Sequence, residues 1–221
     1  MSNIAQDIQK YFQQQGELYP REIFFNTHKN NADDDALAEN PLDNFHKELR
    51  KCTRCGLTDK CKQKVPGKGD IDAKLMLVGE APGKEEDKKG EPFVGRSGQL
   101  LDKILAAIDL TRQEVFISNI VKCRPPGNRN PHKEEIRECL SHLEQEIAIV
   151  DPGIIVALGL IAANTLLGTE DSLKNLRQQE HEYEGKILIP TYHPSALLQN
   201  PKYKRPAWED FKKVKKIYFD K

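Results

Sequence analysis

The apolar run Leu75-Met76-Leu77-Val78, stopped by Gly79-Glu80-Ala81-Pro82-Gly83, constrains the fold more than any other stretch of the chain. Four apolar residues in a row, without alternation, suit a strand buried on both faces, as in a parallel sheet. A Gly/Pro-bounded turn at the end of such a strand is where α/β proteins build ligand sites. The strand is expected over Lys74 to Val78. Val115 to Val121, Ile154 to Leu158 and Lys186 to Tyr192 read as three more. Between them, Ser97 to Ile108 sets Leu100, Leu101, Ile104, Leu105 and Ile108 at helical spacing. Pro131 to Val150 and Leu160 to Leu167 read as helices, Pro206 to Phe219 as a basic closing helix, and Ala36 to Arg50 as a helix leading into the first cysteines. Pro131 suits a helix start, and Glu134-Glu135 suit its positive end. Strands alternating with helices predict an α/β fold, a three-layer αβα sandwich with a central four-stranded, mainly parallel sheet.

The 221 residues suffice for one domain with appendages. Residues 1–45 differ from the rest: Gln13-Gln14-Gln15, Asn30-Asn31 and Asp33-Asp34-Asp35 are polar, and Thr27 to Asp35 reads as a linker. Ile4, Ile8 and Phe12 suit a short amphipathic helix within this part. It is expected to be an N-terminal extension, a solvated leader or a partner-binding tail, on a domain spanning 46–221. The 34 basic residues equal the 34 acidic ones, so the global basic excess of many nucleic-acid binders is missing and any basic surface must be local. No run suits a membrane span or a signal peptide, which makes the cytoplasm the expected compartment and a monomer without membrane contact the expected state.

Five cysteines in such a compartment read as metal ligands or thiols before disulfides. Cys52-Thr53-Arg54-Cys55 is a CxxC pair, whose spacing lets two thiolates reach one metal from a tight turn. Further ligands must come from Cys61, Cys123, Cys139 or a histidine. By spacing alone zinc is favoured; the competing reading makes Cys123 and Cys139 buried thiols.

Three pieces are expected to line one crevice: Gly79-Glu80-Ala81-Pro82-Gly83, Pro92-Phe93-Val94-Gly95 and Tyr192-His193-Pro194-Ser195. Together with the cysteine spacing they resemble the family 4, iron-sulfur type of uracil-DNA glycosylase, over roughly Lys51 to Ser195 and beyond. The resemblance implies hydrolysis of the N-glycosidic bond of deoxyuridine in single- and double-stranded DNA. Uracil is released and an abasic site is left for base excision repair. No Schiff-base lysine is evident, so strand cleavage is not expected. It also implies that Cys52, Cys55, Cys123 and Cys139 hold a structural [4Fe-4S] cluster, with zinc the alternative occupant and Cys61 outside the set. The cluster would pin the N-terminal segment to the Cys123–Cys139 loop, whose Lys122, Arg124 and Arg129 are expected to face phosphate.

Base excision needs the base flipped into a closed pocket. Phe93 can stack on it, the alternative being a core phenylalanine. The Asn119 amide can accept from uracil N3–H and donate to O4, which rejects cytosine; the alternative is a turn cap. His193 can donate to uracil O2 as charge develops there. The remaining histidines, at 28, 46, 132, 142 and 181, are expected at the surface. The backbone of Glu80 and Ala81 can add hydrogen bonds alongside Gly79. Better-known glycosylase families carry an aspartate at the position of Ala81 to orient water, so Glu80 becomes the candidate to position water or stabilise the sugar cation. Glu86 resembles a glutamate that excludes thymine's methyl group, although Glu85-Glu86-Asp87 also reads as a solvated loop.

For DNA contact, Leu197 or Leu198 is the candidate wedge in the gap left by the flipped base, the alternative being the first turn of a helix. Ser195 can bind a phosphate, Lys202, Lys204 and Arg205 form a basic patch, and the Gly95-Arg96-Ser97-Gly98 turn offers N–H groups at a helix start. Lys212, Lys213, Lys215 and Lys216 read as a solvated helix face. Two other classes compete with the enzyme. A related branch binds and traps uracil-DNA covalently, but it carries Gln at the position of Ala81 and a basic inserted loop that is absent between Gly98 and Ile117. A structural zinc protein would leave Glu80, Phe93, Asn119 and His193 without a purpose.

Overall fold

The computed structural model describes residues 40–220. The expected N-terminal helix and linker lie outside the described residues. Six strands form one sheet: β1 (Lys68–Gly69), β2 (Leu75–Gly79), β3 (Phe116–Asn119), β4 (Ile154–Leu158), β5 (His181–Tyr183) and β6 (Lys186–Thr191), in the order β1-β3-β2-β4-β6-β5. The inner four are all parallel, pairing Gly79 with Asn119, Val78 with Ala157 and Leu158 with Thr191. The expected four-stranded sheet is therefore present, extended by an antiparallel strand at each edge. Neither edge carries an apolar run. β5 is joined to β6 by Glu184-Gly185, both at positive φ (49° and 78°), the primed two-residue turn that matches strand twist.

Successive residues of each strand face opposite layers. Leu75, Leu77, Ile117 and Val156 pack with Leu101, Ile104 and Leu105 of α3 (Arg96–Ala107), and with Trp208, Phe211 and Val214 of α8 (Lys204–Asp220). Met76, Val78, Phe116 and Ile155 pack on the other side against Leu143 and Ile147 of α4 (Lys133–Val150), Ala162 and Ala163 of α5 (Leu160–Leu167), and Leu42 of α1 (Pro41–Arg50). These two cores make the three layers. α1 runs across residue 45, the expected end of the extension, with Leu42 and Leu49 buried. Three short α-helices complete the set among the described residues: α2 (Lys84–Lys89), α6 (Leu173–Leu176) and α7 (Pro194–Gln199).

Two element ends differ from expectation for local reasons. α4 begins after His132, not at Pro131, because Glu135 reaches back to the His132 N–H at 2.7 Å. β3 ends at Asn119, yet the N–H groups of Ile120 and Val121 still donate to Gly79 and Glu80 at 2.9 and 3.1 Å. The chain thus follows the end of β2 beyond the regular ladder.

A buried ion pair fixes this corner. Lys122, expected to face phosphate, is instead only 1% exposed. Its Nζ lies 2.6 Å from Glu146 Oε2, 2.6 Å from Ser118 Oγ and 2.9 Å from the Asn119 carbonyl. The Ser118 hydroxyl (2.5 Å) and Gly67 N–H (2.7 Å) also donate to Glu146. Burial alone would raise the Glu146 carboxyl, but the Lys122 ammonium and the hydrogen bonds outweigh it and hold it near 2, below its ordinary 4.5. This contribution to stability is full above pH 4.5 and is lost as the pH falls through about 2. Glu146→Gln keeps the shape and strands the ammonium, so it should cost about 3–5 kcal/mol in urea unfolding. An unchanged midpoint would contradict a tightly coupled pair.

Candidate active site

β2 is the first of the central strands, and the chain then adds β3 on one side of it and β4 on the other. The strand order reverses at β2, and in open sheets of this kind ligands bind at the carboxyl ends of the strands beside such a reversal. Gly79 ends β2, Asn119 ends β3, and His193 follows β6 by two residues. Phe93 arrives from the loop before α3. The fold therefore brings together four of the expected residues from four separate segments.

Gly79 is there because nothing larger fits. A Cβ at that position would stand 2.5 Å from Asn119 Oδ1 and 2.6 Å from the Phe93 ring. Asn119 is 1% exposed, and its Oδ1 is buried without a hydrogen-bond partner. A buried acceptor left unpaired costs about 1–3 kcal/mol, so it marks a place where a ligand donor belongs. The Phe93 ring lies 5.4 Å from the His193 ring, the planes tilted by 34°. Phe93 packs with the core, as one reading expected, yet it also forms a face of the crevice. Its φ of 51° is left-handed, a conformation that costs a non-glycine residue on the order of 1 kcal/mol.

His193 has one ring nitrogen committed. The Ser195 N–H donates to Nδ1 at 3.1 Å, and the Ser195 hydroxyl lies 2.7 Å from the same atom. Because an N–H can only donate, Nδ1 is the acceptor and the ring proton sits on Nε2. Burial lowers the His193 pKa to about 4, with the nearby Glu86 carboxylate opposing. The imidazole is thus a neutral Nε2–H donor at neutral pH. Glu80 is half-buried, and burial raises its carboxyl above the ordinary value. Ala81 is half-buried beside it.

Glu86 is no part of a solvated loop. It is buried in α2, where its Oε1 accepts from the Val94 and Gly95 N–H groups at 2.9 and 2.8 Å. Of the Gly95-Arg96-Ser97-Gly98 turn expected to hold phosphate, the Gly95 N–H is thus already taken by a carboxylate. Asp87 is buried as well and accepts from the Lys62 N–H at 2.8 Å.

The residues expected at DNA divide. Leu197 is completely buried in the core between sheet and helices, so it is not a wedge. Leu198, half-buried beside it, is the apolar side chain of α7 nearer the surface. The Ser195 hydroxyl is turned to His193. Lys202 is exposed and Lys204 half-buried on the segment after α7, and Lys202 Nζ sits 5.4 Å over the Tyr203 ring. Arg124 lies half-buried on the β3–α4 loop and donates to Asn128 at 2.7 Å. Arg129 is bound to Glu135 at 2.7 and 2.8 Å, which makes it a helix-start brace. Among the closing-helix lysines, Lys212 pairs with Glu209 and Lys215 with Asp109.

The cysteines converge beside α4. Cys123 and Cys139 are buried, Cys52 and Cys55 half-buried, and none is in a disulfide. Burial pushes the Cys139 thiol up to about 11, and Cys55 and Cys52 lie near enough to add to the rise. Cys139 Sγ accepts from the Lys122 N–H at 3.2 Å. His142, expected at the surface, is buried with Nε2 3.2 Å from Cys52 Sγ. Cys61 Sγ donates to the Thr58 carbonyl at 3.7 Å, and its thiol lies close enough to Cys123 for the two to perturb each other, a proximity that the spacing did not reveal. Among the described residues no three His, Cys, Asp or Glu side chains are gathered as a single metal ion requires. A zinc site needs its sulfurs about 2.3 Å from one centre, whereas a four-iron cluster takes one thiolate at each iron and spreads them. The four thiols, with an N–H group already on one sulfur, have the donor chemistry that an iron–sulfur cluster takes.

Sequence reasoning also missed a brace under His193. Arg177 binds Asp210 at 2.6 and 3.0 Å, and Asp210 accepts from the Thr191 hydroxyl at 2.7 Å. Arg177 also lies 4.8 Å over the Tyr192 ring, which stacks on Tyr203 at 4.4 Å. Only the crowding of aromatic and basic residues around the histidine motif hinted at it.

Residues 66–212 match the Uracil DNA glycosylase superfamily. The chain is 40% identical over 181 residues to a type-4 uracil-DNA glycosylase of Archaeoglobus fulgidus, covering 78% of this chain and 91% of that protein. It is 43% identical over 171 residues to a type-4 uracil-DNA glycosylase of Thermotoga maritima, covering 76% and 89%. A type-5 uracil-DNA glycosylase of Pyrobaculum aerophilum is 34% identical over 155 residues, covering 62% and 67%.

The histidine geometry makes a pH prediction. A free imidazole titrates near 6.5, but His193 should hold its neutral form until about pH 4. Because the unfolded chain binds that proton first, folded stability should fall as the pH drops from 6.5 toward 4. An NMR titration of the His193 ring should show no protonation at pH 6; a midpoint near 6.5 would contradict its burial.

Proposed function

The chain belongs to the uracil-DNA glycosylase superfamily, among its type-4 members, and from that premise we propose that it excises uracil from DNA. The reaction hydrolyses the N-glycosidic bond and leaves an abasic site. The observation that carries this reading is the orphaned, buried Oδ1 of Asn119 facing the Phe93 ring across a glycine. Uracil N3–H supplies the donor that this oxygen lacks, while the Asn119 amide donates to O4. Cytosine has an unprotonated N3 and an amino group there, so it would leave the acceptor unpaired. Phe93 supports the flipped ring from one face.

Cleavage drives negative charge onto the departing base. The Nε2–H of His193 is the donor for uracil O2, and it costs no proton transfer because the ring is already neutral and its other nitrogen is held by Ser195. Glu80 stands at the end of β2, where a carboxylate can position water or stabilise the positive sugar. Its raised pKa means that this role is lost at acidic pH before that of His193. The Glu86 carboxylate places a fixed negative charge near the pocket. Its direct structural task is to hold the Phe93 loop.

The substrate is uracil in single strands and in U·G or U·A pairs. Leu198 is the wedge, Lys202, Lys204 and Arg124 supply local positive charge, and the enzyme works as a monomer in the cytoplasm. No helix among the described residues is long and apolar enough to cross a membrane. Cys52, Cys55, Cys123 and Cys139 hold a [4Fe-4S] cluster, which when bound supplies a rigid cross-link between the first loop, the β3–α4 loop and α4. A covalent trapping role is not favoured. The connection from α3 to β3 is short and holds no histidine.

A uracil-containing oligonucleotide, treated with alkali after incubation, tests the reaction. Asn119→Ala and His193→Ala should each lower the rate about 10²–10³-fold without lowering the melting temperature. Wild-type rates in both variants would remove these residues from the chemistry. Iron and acid-labile sulfide should accompany the purified protein and be lost in Cys139→Ser. Stoichiometric zinc without iron would overturn the cluster.

A further inference from the structure

Uracil excision requires a stacking face, and the structure holds that face in a conformation that Phe93 does not favour on its own. Its φ of 51° must be imposed by its surroundings. Two ionic groups grip the loop from opposite sides. Glu86 Oε1 takes the N–H groups of Val94 and Gly95, as described above. Arg112 takes the carbonyls: Nη1 donates to Phe93 O at 2.7 Å and Nη2 to Pro92 O. Asp102 of α3, 3.0 Å from Nη1, aims the guanidinium.

Arg112 is itself set on a stiff support. It opens a 3₁₀ turn, Arg112–Glu114, in which Glu114 Oε2 accepts from both the N–H and the hydroxyl of Thr111, at 2.8 and 2.6 Å. That turn runs directly into β3, which ends at Asn119. One arginine therefore fixes the ring beneath the base relative to the strand that reads its edge. A lysine cannot replace it, because a single ammonium lacks the planar fork that serves two carbonyls and a carboxylate at once.

We infer that Arg112 is a positioning residue for base recognition: its guanidinium, bridging Pro92 O, Phe93 O and Asp102, holds Phe93 in register with Asn119. This rests on the uracil-excision reading. The competing role for a basic side chain that is 27% exposed is a phosphate contact. Free uracil carries no phosphate, so it separates the two.

The experiment measures inhibition by free uracil and kcat/KM on a uracil oligonucleotide for wild type, Arg112→Met, Arg112→Lys, Phe93→Ala and the double variant Phe93→Ala/Arg112→Met. Arg112→Met should weaken free-uracil binding and lower kcat/KM, each about tenfold or more, and Arg112→Lys should lose several-fold even if the methionine variant folds poorly. In the Phe93→Ala background, Arg112→Met should add less than about twofold. The inference is overturned if Arg112→Lys binds free uracil as wild type does. It is equally overturned if Arg112→Met costs the same factor in both backgrounds. If Phe93→Ala itself loses nothing, the stacking reading falls, and this inference with it.

Discussion

The buried contact between Lys122 and Glu146 is the point on which the active corner of this molecule depends. Glu146 projects from α4 and gathers the Gly67 N–H, the Ser118 hydroxyl and the Lys122 ammonium. Lys122 passes that anchorage on in two directions. Its side chain holds the Asn119 carbonyl, and its main-chain N–H holds Cys139 Sγ. An ammonium and a carboxylate are expensive to bury, and they are tolerated only where each remaining hydrogen-bonding site is filled, as here. The physical consequence is that the Asn119 end of β3, proposed to read the base, and the cysteine region share one support. A structural cluster at those cysteines would then stiffen the pocket without taking part in its chemistry.

The site itself works through preorganisation. Each residue proposed to meet the base is held by a neighbour: Asn119 by Lys122, Phe93 by Arg112 and Glu86, His193 by Ser195. The tautomer of His193 follows from a single backbone N–H, and its low basicity follows from burial. The residue types at the crevice are therefore only half of the account. Their fixed orientations are what make a neutral donor and an unpaired acceptor useful to a developing charge.

The sequence was legible where apolar runs and turn residues carry the information. Of the four parallel strands, β2 and β4 stand out as uninterrupted apolar segments and β3 and β6 as shorter apolar stretches, and the three-layer arrangement follows from their alternation with helices. The edge strands β1 and β5 were hidden, because two or three polar residues have no pattern. The pocket residues were legible through resemblance to a family, with Gly79, Phe93, Asn119 and His193 converging from distant segments. Direction was not legible. A lysine followed by a cysteine and an arginine reads as surface charge, yet Lys122 points inward to Glu146. Leu197 and Leu198 are equivalent in sequence, and only packing shows which one the core claims. Arg112 left no trace at all, since two of its three partners are main-chain carbonyls that any sequence would supply.

The most direct test of the account is a crystal structure of the protein with free uracil bound. The account predicts the base lying on the Phe93 ring, its N3–H donating to Asn119 Oδ1, and O2 within hydrogen-bond reach of His193 Nε2. Uracil bound elsewhere, or bound here with Asn119 Oδ1 still unpaired, would contradict it.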